Sequence, residues 1–351
     1  MAARSLSAAL PLVLLVVTWC VMGELLQGLQ DGWPRPWMLT YAIHSGYALA
    51  LIPFAVLRRA RLARGGASPL PPLGAVAVRA LGLSVLSSCV AVAWYASLSG
   101  TSVAGNSAVY QSSSAFALLF SALLLGEKVT RGKVAACVVS LAGVALVAVG
   151  AWSAHNGRDT AAGYAWVLTS TALYALYEVV YSRLFVPATP DEEPAAYALL
   201  PGSVGVVEGG SATAGGSAAA AETSALVLGL MGAWTLVTQW PIFFVAAAAG
   251  LEPLALAPMA KARVIALAIA SDAVYNLALL WAISTSSPFA TSLATTLVVP
   301  ATIAADAILH GTLPAPAAAV GTVLILGAVA ALNAPPDAWA WLAQRARCAR
   351  Q

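Results

Sequence analysis

The sequence predicts an all-α polytopic membrane protein, with ten transmembrane helices arranged as two inverted five-helix repeats. Three observations predict it. Of the 351 residues, 60% are hydrophobic and 9% charged, against about half and about a quarter in soluble domains. The apolar residues form long unbroken runs rich in Ala, Leu and Val, not the ~10-residue alternating segments of a membrane barrel. The chain also aligns with itself at an offset of 185 residues, which is a signature of internal duplication.

Apolar runs set the spans in order at 7–29, 37–57, 75–98, 103–125, 132–152, 161–185, 224–249, 262–284, 288–310 and 314–333. At ~20 residues per crossing, ten spans use roughly 200 residues and leave the rest for loops and tails. The first run, preceded by Arg4, imitates a secretory leader, but no small-x-small cleavage site follows and it is read as a retained helix. With the N-terminus in the cytoplasm, Arg4, Arg58, Arg59, Arg61, Arg64, Arg79, Lys128, Arg131, Lys133, Arg183, Arg345, Arg347 and Arg350 fall on that side, 13 of the 17 basic residues. Arg35, Arg158, Lys261 and Arg263 fall opposite. This bias supports an even span count with both termini cytoplasmic. The organelle, whether Golgi, vacuole or plasma membrane, stays open. Cys20, Cys89, Cys137 and Cys348 show no CxxC spacing; the first three sit in apolar runs and are expected to be buried packing.

These spans divide the chain into a first half plus sixth helix (1–185), a linker (186–223), the remaining helices (224–333) and a cytoplasmic tail (334–351). The linker carries Asp191, Glu192, Glu193, Glu208 and Glu222, no Lys or Arg, and a Gly/Ala/Ser tract, and is expected to be flexible. At the offset of 185, Leu98 to Ser102 meets Ile283 to Ser287, Ser107 meets Ser292 and Gly126 meets Gly311. A second offset of 154 pairs the first helix with the sixth, and Glu24 with Glu178. Five spans per unit is odd, so the second unit enters the membrane inverted. That construction recurs in secondary transporters, where two halves rock about a midplane site.

Polar positions inside the spans nominate the site. On the fourth helix Asn106, Tyr110, Ser113, Ser114 and Ser121 share one face; on the ninth, Thr291, Thr295, Thr302 and Asp306 do. Both stripes are expected to line one cavity, and interhelical hydrogen bonding is the plainer alternative. A carboxylate at a helix centre costs ~2.5–3.5 kcal/mol on insertion scales, so each one that stays needs a partner or a task. Glu24 and Glu178 are candidates for stabilising a cationic or proton-coupled state. Asn106, Tyr110, Tyr174, Asp272 and Asn276 are candidates for orienting a solute. His44 stands among Tyr41 and Tyr47, the setting of a hydrogen-bonded ring as much as of a proton exchanger. No GxxxxGK[ST], HExxH, EF-hand loop or GxSxG is present, so nothing points to ATP hydrolysis, a metal, a cofactor, a nucleic-acid partner or an enzyme.

The segment Ala115 to Val147, with Gly126-Glu127-Lys128 and Leu141-Ala142-Gly143, resembles the EamA-type repeat of the drug/metabolite transporter superfamily. A second copy is similar around Pro300, Gly311 and Leu326-Gly327. Ser284 to Pro288, Leu293, Val299-Pro300 and Asp306, together with Tyr174 to Tyr181, resemble the F branch of the solute carrier 35 group. The resemblance implies ten helices, a central cavity and alternating-access transport of a small organic solute. Thr312 stands where the first repeat has Glu127. The cavity-facing lysine pair of nucleotide-sugar and sugar-phosphate carriers is missing, which disfavours an anionic phosphate. The expected function is therefore secondary transport of a neutral or cationic metabolite, with proton coupling open. A Golgi-type nucleotide-sugar antiporter is the runner-up and a non-transporting scaffold or receptor the alternative of another class.

Overall fold

The computed structural model describes residues 13–19, 21–22, 25–26, 29, 33, 35–65, 72–101, 106, 109–152, 160–186, 214–254, 259–301, 303–304 and 316–333. Among them every regular element is helical and no strand occurs. Glu24, Thr302, Asp306, Cys20, Cys348, most of the linker and the tail lie outside the described residues.

The second expected span is one continuous stretch, Pro36–Ala63, built from α1 (Pro36–Ser45), a 3-10 turn (Gly46–Ala50) and α2 (Leu51–Ala63). Pro36 opens α1 where a missing N–H costs nothing. The Arg35 side chain provides no cap. The Glu252 carboxylate does so from 215 residues away, accepting from Trp37 N at 2.9 Å and Met38 N at 3.1 Å. α3 (Leu73–Leu98) and α4 (Ser113–Phe120) follow, and α4 runs into a π-turn (Ser121–Leu125). Gly126, at φ +71°, ends that turn in the left-handed region that favours glycine. α5 (Arg131–Trp152) and α6 (Ala161–Phe185) come next, the latter capped by Thr160 Oγ1, which accepts from Gly163 N at 3.0 Å.

The second part contains α7 (Ala214–Thr238), α8 (Ile242–Ala248), a 3-10 turn (Met259–Lys261), α9 (Ala262–Thr285), α10 (Pro288–Thr295) and α11 (Pro316–Asn333). Two boundaries differ from expectation. The seventh helix begins at Ala214, so residues 214–223, read as linker from their composition, are helical. Ala is the strongest helix former, and Glu222 is held there by an ion pair with Arg61 at the end of α2. The same helix stops at Thr238, and after the turn at Gln239 to Pro241 a separate α8 follows, because Pro241 cannot supply the N–H a continuous helix needs. Cys89 is exposed rather than buried, while Cys137 is buried as expected.

Pro36–Ala63, Leu73–Leu98, Ala218–Thr238 and Met259–Thr285 are long and apolar enough to cross a membrane; Ser113–Leu125, Pro288–Ala301 and Pro316–Ala331 are shorter apolar helices. Their outer surfaces carry Val78, Leu123 and Val323, all exposed, while Ser84, Ser97, Ser170, Thr171, Glu178 and Asp272 are buried. Apolar outside and polar inside is the arrangement a hydrocarbon solvent selects, because unpaired polar groups cost most there.

Packing pairs the two parts systematically. α5 lies on α11 where Gly143 and Gly321 face each other, each leaving no room for a Cβ against the other's carbonyl. α4 packs on α10, and α7 runs along α1, the 3-10 turn and α2, with Gly232 tight against Tyr47 and Ala48. Exchanging the two parts leaves these three contacts unchanged. It turns α1 against α3 into α7 against α9, and α3 against α7 into α9 against α1; all four are present.

Candidate functional site

Where α1, α3, α6 and α9 converge with Trp19, Met22 and Tyr110 there is a cavity of about 50 Å3. One water needs roughly 10–15 Å3 of such space, so the chamber has room for a few waters. Its walls are aromatic. Trp19 lies 5.2 Å from both Tyr110 and Tyr275 and 5.6 Å from Trp94, and Tyr110 lies 5.3 Å from Tyr174, ring centre to ring centre. Tilted pairs at these distances are favourable packings and present both ring faces and edges to an occupant.

Asp272 on α9 supplies the one carboxylate of the described wall, and it is 6% exposed. Tyr47, delivered by the 3-10 turn, donates its hydroxyl to Asp272 Oδ2 at 2.5 Å. Asn276, one turn beyond Asp272, donates Nδ2 to Tyr47 Oη at 2.9 Å and to the Asp272 carbonyl at 3.0 Å. The acid is therefore oriented by one neutral donor, Tyr47, which Asn276 holds in place, and no Lys or Arg lines the described wall. His44 stacks on Tyr47 at 4.7 Å and starts a polar chain leading away from the cavity. Its Nδ1 is 3.4 Å from Ser88 Oγ; Ser88 donates to Gln239 Oε1 at 2.6 Å, and Gln239 Nε2 donates to Ser84 Oγ at 3.0 Å.

Of the residues nominated from sequence, Tyr110, Tyr174, Asp272 and Asn276 meet on this wall. Glu178 is fully buried behind it, on the same helix as Tyr174. Asn106 does not reach the wall. It accepts from Trp94 Nε1 at 3.0 Å and donates to Ser97 Oγ at 2.7 Å and Thr101 Oγ1 at 2.9 Å, so it fixes the turn after α3 and the back of a cavity Trp. Of the small hydroxyls of the two polar stripes, Ser113, Ser114, Ser121, Thr291 and Thr295 stay off the wall, and Thr302 lies outside the described residues. Ser292 donates to Ser113 at 3.1 Å, Ser286 and Thr291 share a bond at 2.9 Å, and Thr295 bonds the Ser292 carbonyl. Ser113, Ser114, Thr291 and Thr295 bond a neighbouring hydroxyl or backbone carbonyl, as the plainer expectation has it, while Tyr110 of the same stripe reaches the wall. Glu24 lies outside the described residues. The residues missed were Trp19, Tyr47, Trp94 and Tyr275. The signal for Tyr275 was present, since it follows Asp272 by three and adjoins Asn276. Tyr47 gave none, because a 3-10 turn interrupts the helical period. Among the described residues no group of three or more His, Cys, Asp or Glu side chains is gathered to hold a metal.

No curated protein matches the sequence. Solved structures do, and one crystal structure aligns over 93% of this chain and 96% of its own at 19% identity with a TM-score of 0.57, a likeness of fold. Residues 6–149 match the EamA-like transporter family. Members of that family are membrane transporters of small substrates rather than enzymes. The chain is thus an integral membrane protein, helical in every regular element among the described residues, whose residues 6–149 carry the pattern of an EamA-like transporter, in support of the drug/metabolite transporter superfamily.

Proposed function

We propose that the protein is a secondary transporter that moves a small neutral or cationic organic solute by alternating access, with ten spans in two inverted repeats and both termini in the cytoplasm. The exchange symmetry of the helix contacts supports the duplicated architecture. The aromatic chamber where α1, α3, α6 and α9 converge supports a solute site between the two parts.

One observation carries the choice of solute. Asp272 stands buried on an aromatic wall, bonded to the neutral Tyr47, with no Lys or Arg among the described residues of that wall. A cation entering there meets a carboxylate that no Lys or Arg has neutralised and the faces of Trp and Tyr rings, which attract positive charge by ~0.5–2 kcal/mol each. A phosphate would meet the same carboxylate with nothing to offset it. That disfavours the nucleotide-sugar antiporter.

Uptake of radiolabelled tetraethylammonium into proteoliposomes tests this reading. Saturable uptake is expected, together with a loss of at least about tenfold in apparent affinity on Asp272→Asn, equivalent to ~1.4 kcal/mol. Inhibition by nucleoside monophosphates with no effect of Asp272→Asn would overturn it in favour of the antiporter.

A further inference from the structure

The stretch Pro36–Ala63 closes on a run of arginines, Arg58, Arg59 and Arg61, with Arg64 just beyond it. Arg61 is used inside the protein, where it pairs with the buried Glu222 of α7. Arg59 and Arg64 are exposed and Arg58 is half-buried, and none of these three has an ion-pair partner among the described residues. The other described acids are held elsewhere. Lys133 engages Glu127, Glu252 clamps the opposite end of the same span, and Glu178 and Asp272 are buried inside the bundle.

The dimensions of the span put these charges at a membrane surface. From Pro36 to Val56 the helix advances by 20 residues, about 30 Å at ~1.5 Å each, which is the thickness of a hydrocarbon core. Arg58 and Arg59 are the next polar residues, so they stand at the level of the lipid phosphates. The ridge leading up to them faces outward. Ile52 is 63% and Val56 60% exposed, and Arg59 follows them at i+7 and i+3, on the same face of the helix. The Arg58 guanidinium lies 5.7 Å from the centre of the Phe54 ring, one turn back, which keeps it on the bilayer side of the helix end. An apolar ridge topped by unpaired guanidiniums matches the two parts of a phospholipid, chain and charged head.

We propose that the arginine end of α2 binds an anionic phospholipid, with an acyl chain along Ile52 and Val56 and headgroup phosphates accepting from Arg58, Arg59 and Arg64. A guanidinium offers two parallel N–H donors to a phosphate. Three of them fit a headgroup that carries phosphate monoesters, as a phosphoinositide does, better than a single diester charge. Through the neighbouring Arg61 the occupied site abuts α7, so the lipid rests at the seam between the two parts of the chain. It lies on the outside of the bundle, apart from the chamber at Asp272, and its test needs no transport.

The experiment is calorimetric titration of dioctanoyl phosphatidylinositol bisphosphate into the full-length protein in neutral detergent micelles. Saturable binding is expected, with dioctanoyl phosphatidylcholine at least about tenfold weaker. At about fivefold per basic residue, Arg58→Gln/Arg59→Gln should lose about 25-fold in affinity. Lys128→Gln/Arg131→Gln removes as much charge from exposed positions at the start of α5 and should stay within about twofold of wild type. Equal losses in the two double variants would reduce the effect to net charge and overturn the site. Inositol trisphosphate, a phosphorylated head without chains, should bind at least about tenfold more weakly than the lipid; equal affinity would mark a soluble-phosphate site and refute the lipid. Should Arg58→Gln/Arg59→Gln not fold, photolabelling of wild type decides. Phosphatidylinositol bisphosphate with a diazirine in its chain, in phosphatidylcholine vesicles, should label residues 49–64, and labelling only elsewhere contradicts the proposal.

Discussion

The Glu252 clamp gives a sharp test of how the cavity is positioned, because its two bonds replace a helix cap that the local sequence lacks. Trp37 N and Met38 N belong to the first turn of α1, whose amides have no partner within the helix. Glu252 accepts from both at 2.9 and 3.1 Å and is 6% exposed, so Glu252→Ala leaves two poorly hydrated donors unpaired. At about 0.5–1.5 kcal/mol per hydrogen bond the gross loss is about 1–3 kcal/mol. Relief of carboxylate burial offsets part of it, leaving about 1–2 kcal/mol net. Glu252→Gln, which keeps a carbonyl acceptor, should cost about half as much. The sign with pH follows from the environment. Burial pushes the Glu252 carboxyl above its ordinary range, outweighing the two amide bonds and the nearby Arg35 charge, which pull it down. A carboxyl raised in the folded state contributes stability that is fully present below its ordinary value of 4.5 and is lost as pH rises through the raised value. The assay is unfolding of purified protein in mixed micelles, wild type against both variants, from pH 4 to 8. Wild type should lose stability relative to Glu252→Gln as pH rises. A Glu252→Ala protein within about 0.3 kcal/mol of wild type, or a difference that grows in wild type's favour with pH, would refute the reasoning.

Two further predictions concern buried groups that composition alone did not single out. Arg61→Ala strands Glu222, which is 1% exposed, whereas Glu222→Ala leaves an arginine that is 19% exposed and reaches water. Micelle unfolding should therefore show the arginine variant the worse of the two, by roughly 3 kcal/mol from wild type, with the double Met variant milder than Arg61→Ala. Asn106→Ala removes three hydrogen bonds, one of which fixes the Trp94 indole. It should weaken tetraethylammonium binding, read by tryptophan fluorescence, although Asn106 itself does not line the cavity and acts only through the back of Trp94; unchanged affinity would show that Trp94 is held by packing alone.

The legible and illegible parts of this fold divide along the range of the interactions. Long apolar runs and Gly126 ending the fourth helix are local, and the helices at 73–98, 131–152 and 161–185 fall within a few residues of expectation. Asp272 and Asn276, one turn apart, were legible as a shared face for the same reason. The Glu252 cap, the Arg61 to Glu222 pair and the Tyr47 to Asp272 bond link residues more than 150 positions apart. No period in the sequence encodes them. The polar stripes divide: Tyr110 reaches the wall, whereas small hydroxyls on a helix bond their own backbone or a neighbouring helix as readily as they face a cavity, and Asn106 is drawn into the turn after α3 by Ser97 and Thr101.

The central claim is that the chamber at Asp272 is reached from both faces of the membrane in turn. Ser87 lines it and makes a small, neutral reporter. With Cys20, Cys89, Cys137 and Cys348 replaced, Ser87→Cys should be modified by a membrane-impermeant thiol reagent added to either side of sealed vesicles, and tetraethylammonium should protect it from both. Modification from one side only, or from neither while exchange continues, would contradict the account.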